Sequence, residues 1–223
     1  MFLCALTFVA EQLIMKERSP MVFIVDDDDA VRASLGFLLK SVGIAATSLD
    51  SAQAFLAAHD FLQPGCLLLD IRMPGMSGLE LQQQLNLRGA IIPVIFITGH
   101  GDVPMAVAAM KDGAFDFVQK PFRDQDLIDR VQRALAKDQE HRVALSQYTK
   151  IRARLESLTP REREVLELMT RGKPNKVMAA DLGISQRTVE IHRARVMEKM
   201  EARSLAQAVR MMMDLNNSVV AER

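Results

Sequence analysis

Cys66-Leu67-Leu68-Leu69-Asp70-Ile71-Arg72-Met73-Pro74-Gly75-Met76-Ser77-Gly78 decides the fold of this chain. An apolar run closes on a carboxylate, and Met73-Pro74-Gly75 behind it is a turn signal. From residue 78 to 87 apolar residues return at three- and four-residue spacing, the mark of a helix packing on a sheet. The same alternation continues in both directions. Residues 22–25, 45–49, 66–69, 94–98 and 116–118 read as short buried strands, and 31–41, 51–58, 78–87 and 104–111 read as the helices between them. Five such units predict an α/β fold, a doubly wound five-stranded parallel sheet with right-handed crossovers.

In such sheets ligands gather at the carboxyl ends of the strands. Asp26 and Asp27 follow the first strand, Asp70 ends the third, Thr98 ends the fourth and Lys120 follows the fifth, so all five are expected on one edge. Three converging carboxylates repel one another, and a hard divalent cation with oxygen ligands, most simply Mg2+, is the usual remedy. A carboxylate nucleophile with a metal ion, a hydroxyl and one ammonium is an inventory for phosphoryl transfer. Asp28 and Asp29 have a plainer role as caps of the helix starting near Ala30.

The formal net charge of zero conceals an asymmetry. Residues 21–136 carry 9 Lys and Arg against 14 Asp and Glu, and residues 151–223 carry 14 against 10. The acidic part suits cations; the basic part has the sign that a phosphate backbone needs. Cys4 and Cys66 are the only cysteines, which excludes a disulfide framework and fits a reducing cytoplasm. No run of eighteen apolar residues suggests a membrane span. The first fourteen residues have no basic start, and Glu11 interrupts them, so they do not read as an export signal. Residues 1–20 are expected to be an extension ahead of the first domain (21–136), with Met15 or Met21 as the initiator.

After residue 136 the chain turns polar and charged, with no Gly or Pro to break a helix, and 137–152 reads as a helical or semi-ordered linker. Thr159-Pro160-Arg161-Glu162 is a capping box with Pro at the first helical position. Residues 175–181, the turn Leu182-Gly183-Ile184 and residues 185–200 form a helix-turn-helix pattern, with Ser185 as cap of the last helix. Arg187, Arg193, Arg195 and Lys199 suit a helix that enters the major groove. Gln186, Arg187, Glu190 and Arg193 are expected at base edges or phosphates, Lys176 and Lys199 are further candidate DNA contacts, and Glu190 can accept from cytosine. His192 reads as packed or phosphate-facing, with no ligand neighbours for a metal. A last helix at 204–214 supports the core.

Four pieces of the first domain, Val25-Asp26-Asp27, Leu69 to Gly78 as quoted above, Ile97-Thr98-Gly99-His100-Gly101-Asp102-Val103-Pro104 and Lys120-Pro121-Phe122, resemble the receiver domain of two-component systems, a flavodoxin-like fold. Leu158-Thr159-Pro160-Arg161-Glu162, Ala179-Ala180-Asp181-Leu182-Gly183-Ile184-Ser185 and Arg187-Thr188-Val189-Glu190-Ile191-His192 resemble the LuxR/NarL-type helix-turn-helix domain, here over 153–218. The pairing resembles FixJ-type response regulators. This resemblance implies Asp70 as phosphoacceptor. It implies Mg2+ on Asp27, Asp70 and the Arg72 carbonyl, with Asp26 orienting the site. Lys120 would pair with the phosphoryl oxygens and be joined to Pro121 by a cis peptide bond. Thr98 and Phe117 would form the switch, Phe117 lacking the hydroxyl of the more familiar tyrosine. The resemblance also implies a sensor histidine kinase as donor, homodimerisation through residues 103–131, promoter DNA and RNA polymerase as partners, and transcription activation. It implies no turnover enzyme beyond self-phosphorylation and slow hydrolysis.

Two rival readings predict that Asp70 is dispensable. Asp27-Asp28-Asp29-Ala30-Val31 fits the D-x-D-x-V pattern of haloacid-dehalogenase-type phosphatases. A ligand-sensing transcription factor with the same DNA domain would need an enclosed pocket in place of an acidic site.

Overall fold

The computed structural model describes residues 18–60, 62–99 and 103–221. Most of the expected N-terminal extension, and His100-Gly101-Asp102 of the third receiver-like piece, lie outside the described residues. Two compact units divide the chain, one reaching to Arg142 and the other beginning at Val143.

The first unit alternates strands and helices as its periodicity predicts. In order these are β1 (Met21–Val25), α1 (Asp29–Ser41), β2 (Ala46–Leu49), α2 (Ala52–Ala58), β3 (Gly65–Asp70), α3 (Gly78–Leu87), β4 (Val94–Thr98), α4 (Val103–Lys111) and β5 (Asp116–Gln119), followed by α5 (Asp124–Glu156). The strands pair in the order β2-β1-β3-β4-β5, all parallel. Because successive strand residues face opposite sides, both sides of the sheet are apolar and both must be covered. Val22, Ile24, Leu68, Ile95 and Ile97 pack with Leu35 and Leu39 of α1 and with Leu127 and Val131 of α5. Phe23, Leu67, Leu69 and Phe96 pack on the other side with Phe55 of α2, Leu81 and Leu85 of α3 and Ala109 of α4.

The cap assigned to Asp28 is present: its side chain accepts from the amides of Ala30 at 2.8 Å and Val31 at 3.3 Å. Asp29 is the first helical residue and pairs with Arg32 one turn on. The phosphatase-like Asp27-Asp28-Asp29 run is thus largely the start of a helix.

Residues 137–152, expected as a linker, lie inside the 33-residue helix α5. Its polar stretch is partly buried. Asp138 is 1% exposed and accepts from the Gly65 amide at 2.9 Å and from Arg142 Nε at 2.8 Å. The Arg142 guanidinium also donates to the Leu62 and Gln63 carbonyls at 3.1 and 3.0 Å. This i,i+4 pair therefore fastens α5 to the turn that feeds β3.

In the second unit α6 (Pro160–Thr170), α7 (Asn175–Leu182), α8 (Gln186–Lys199) and α9 (Leu205–Ala221) follow. The Thr159/Glu162 capping box closes in both directions, with Pro160 at the first position. Gly183, at φ +64°, ends α7 in the left-handed conformation that a residue without Cβ adopts most readily. Val165, Leu166, Met169, Met178, Val189, Val196 and Met200 make the core, joined by Ala208 and Leu215 of α9.

Candidate functional site

Asp26 leaves the end of β1 and turns inward, only 3% exposed. One carboxylate oxygen accepts from the Asp28 amide at 2.9 Å, the other from Lys120 Nζ at 3.0 Å. Its carbonyl accepts from the Arg32 guanidinium, a support that the sequence reading missed. Asp70 is the last residue of β3; its Oδ1 accepts from Lys120 Nζ at 3.3 Å and its Oδ2 from the Arg72 amide at 2.7 Å. Lys120 follows β5, where its amide donates to the Thr98 carbonyl at 2.7 Å, and its bond to Pro121 is cis. Three strand ends thus bring two carboxylates onto one ammonium.

The electrostatics follow from that arrangement. Burial pushes the Asp70 carboxyl above its ordinary range and Asp26 adds to the shift, against the opposing pull of Lys120 and the Arg72 amide. Burial would lower the Lys120 ammonium, but its bonds to Asp26 and Asp70 outweigh it, and the net shift is upward. The site is therefore an incompletely neutralised acidic pair.

The expectation of three converging carboxylates needs correction. Asp27 is exposed, and among the described residues no group of three or more His, Cys, Asp or Glu side chains is placed to hold a metal ion. Thr98 ends β4 and is 1% exposed; Phe117, in register with Phe96, is half-buried on β5.

In the second unit Ser185 caps α8, accepting from the Thr188 amide at 3.1 Å. Val189 and Val196 anchor the helix in the core, both fully buried. Arg187, Glu190, Ile191, Ala194 and Arg195 are exposed, as are Gln186 and Lys176; Arg193 is half-buried. At about 100° per residue, Arg193 falls beside Val196 on the flank, whereas Arg195 points away from the core with Arg187. His192 is half-buried and its Nδ1 is enclosed.

Lys199 does not present a free ammonium. Its Nζ donates to Glu162 Oε2 at 2.6 Å and to the Ser157 carbonyl at 3.4 Å, so the end of α8 is tied to the start of α6. Glu162 is 2% exposed. Burial alone would push its carboxyl up, but the bonds from Lys199 and Thr159 prevail and hold it below its ordinary value of 4.5. Replacing Lys199 by Met is expected to cost the second unit about 1–3 kcal/mol, because the buried carboxylate loses its cation. Since the folded-state value is depressed, that contribution is complete above the ordinary value and lost as pH falls through the lower one. Urea titrations of wild type and Lys199→Met should differ at pH 7 and converge in acid; equal midpoints at pH 7 would refute the brace.

Among the described residues no helix is long and apolar enough to cross a membrane. Residues 22–132 match the response regulator receiver domain, and residues 156–212 match bacterial regulatory proteins of the luxR family. The chain is 52% identical over 197 residues to the transcriptional regulatory protein FixJ of Azorhizobium caulinodans, covering 88% of this chain and 93% of that one. It is 43% identical over 205 residues to the response regulator protein TmoT of Ectopseudomonas mendocina, covering 92% and 93%. Among solved structures, the response regulator StyR matches with a TM-score of 0.82 at 46% identity, over 87% of this chain and 98% of that one. Full-length FixJ from B. japonicum matches with a TM-score of 0.56 at 43% identity, over 89% and 98%. These likenesses span both units, and the chain belongs to the FixJ-type response regulators, transcription regulators that join a receiver domain to a LuxR-type DNA-binding domain.

Proposed function

We propose that this protein is a cytoplasmic transcription activator switched by phosphoryl transfer from a sensor histidine kinase to Asp70. The observation that carries the reading is the disposition of Asp70 at the end of β3. One of its oxygens is held by the Arg72 amide and the other faces an ammonium shared with Asp26.

In the transfer, an Asp70 oxygen attacks phosphorus, the bond from phosphorus to the kinase imidazole nitrogen breaks, and the imidazole leaves with that electron pair. Lys120 remains charged and lies within reach of the phosphoryl oxygens, so it offsets charge where it builds up. Asp26 orients that ammonium, and Arg32 and the Asp28 amide orient Asp26. Mg2+ would be held by Asp70, the Arg72 carbonyl and Asp27, all oxygen ligands; the incompletely neutralised acidic pair supports this, and Asp27, exposed on the adjoining loop, would have to turn inward to complete the set. When bound, the ion supplies further charge neutralisation to the phosphoryl group.

A phosphoryl group adds nearly two negative charges beside Thr98. Thr98 turning toward it would free space for Phe117, and the face formed by residues 103–131 would change. That face already carries exposed Val107 and Met110, at 47% and 39%, and suits a second copy of the chain. In the other unit Gln186, Arg187, Glu190 and the flanking Arg193 read promoter DNA, with Lys176 on the phosphates. RNA polymerase is the partner through which activation would act.

Intact mass after incubation with acetyl phosphate and Mg2+ tests the reading. Wild type should gain one phosphoryl group and elute as a dimer, and Asp70→Asn should do neither. An adduct of equal yield on Asp70→Asn would overturn the assignment.

A further inference from the structure

The outward face of α8 carries an oddity for a DNA-facing helix: a large aliphatic side chain at its centre. Ile191 is 47% exposed, with Ala194 exposed one turn on. At about 100° per residue, Arg187, Glu190, Ile191, Ala194 and Arg195 fall on one side of the helix, opposite the buried Val189 and Val196. Ile191 therefore supports no core, and the two arginines flank it. A single exposed isoleucine is ordinary on a protein surface; one set one turn from each of two guanidinium groups, with the exposed carboxylates of Glu190 and Glu198 on the same side and no core contact, defines a small apolar spot within a charged frame.

The occupant of such a surface must offer anionic groups to the two arginines, hydrogen-bond donors to the two glutamates and an apolar group in the middle. The phosphate backbone of duplex DNA satisfies the first condition, and the basic second unit, with 14 Lys and Arg against 10 Asp and Glu, matches it. In the major groove the base edges present donors, acceptors and one apolar group, the C5-methyl of thymine. We propose that Ile191, with Ala194 beside it, packs on a thymine methyl and makes thymine the preferred base at that position. Glu190, one residue earlier, stands next to it to accept from a neighbouring cytosine amino group. This rests on the DNA-binding reading above and adds the base class that the helix selects.

Uracil differs from thymine only by the methyl group, and this gives a direct test. Full-length phosphorylated protein selects duplexes from a random-core library, and the selected duplex is then resynthesised with deoxyuridine at each thymine in turn. Wild type should lose about three- to five-fold in affinity at one thymine per half-site, the value of one buried methyl group. Ile191→Ala should bind the thymine duplex more weakly by a similar factor and be indifferent to uracil there, and Ile191→Val should keep the sensitivity. Because Ile191 lies outside the core, these variants should melt like wild type. If every thymine tolerates uracil, or if Ile191→Ala retains the full thymine preference, the methyl contact is overturned while DNA binding stands. If no duplex is enriched over a scrambled one, the DNA-binding reading itself fails; a surface that captured only other proteins would give that result.

Discussion

Gly78→Ala is expected to lower the stability of the receiver unit by about 3 kcal/mol, at the upper end of overpacking costs, and to slow phosphoryl uptake by Asp70 about a hundredfold. Gly78 is the first residue of α3, and its amide donates to the Ile71 carbonyl at 3.0 Å. A Cβ there would stand 2.2 Å from the Asp70 carbonyl oxygen and 3.1 Å from the Asp70 carbonyl carbon. Both are main-chain atoms, so no rotamer relieves the clash. The strand end and the helix start would have to separate by about 1 Å to reach ordinary contact, and Asp70 would move with them. The displacement acts where the geometry toward Lys120 and the Arg72 amide is set, so rate should fall further than stability alone explains. Gly36→Ala is the matched control. Gly36 lies within α1 and a Cβ there meets nothing within 4 Å, so this change should stabilise the unit by about 0.5–1 kcal/mol and leave the rate unchanged. Urea titration and time-resolved intact mass separate the two effects. A Gly78→Ala protein with wild-type rate would show that the α3 contact does not position Asp70.

The sheet was legible in the sequence because each strand is short, apolar on both faces and bounded by turn residues, and because each helix shows its own period. Thr159 and Glu162, or Ser185, could be read as caps because capping is local: donor and acceptor are three residues apart. What escaped notice depends on residues distant in the chain. Lys199 looked like a phosphate contact, since a lysine near the end of a recognition helix carries no sign that a carboxylate 37 positions earlier holds its ammonium. Arg32 gave no sign of reaching the Asp26 carbonyl. Asp26 and Asp27 are chemically equivalent on paper, and only the direction in which the strand releases each makes one buried and the other exposed. The spacing of Asp138 and Arg142 was visible as an i,i+4 pair, but most such pairs on a polar helix are solvated. Nothing local distinguishes the one that is buried.

That buried pair carries the second large effect. Arg142→Met should destabilise the receiver unit by about 3–5 kcal/mol, the cost of leaving a buried charge without its partner. The variant loses the bond to Asp138 and both bonds to the Leu62 and Gln63 carbonyls, and Asp138, at 1% exposure, keeps only the Gly65 amide. Asp138→Asn should cost less, because an amide oxygen can still accept from Gly65 and no buried charge is stranded on the carboxylate side. The double variant Asp138→Leu/Arg142→Met should recover part of the loss, since removing both charges also removes their desolvation penalty. Amide exchange at Gly65 and along α5 from Leu135 to Arg142 locates the effect. In Arg142→Met these amides should exchange faster than those of β1 and β4, because the anchorage to the β3-feeding turn is lost before the sheet opens. A loss below 1 kcal/mol, with Gly65 still protected, would mean that apolar packing by Val131 and Ala134 alone holds this part of the helix and that the ion pair is incidental.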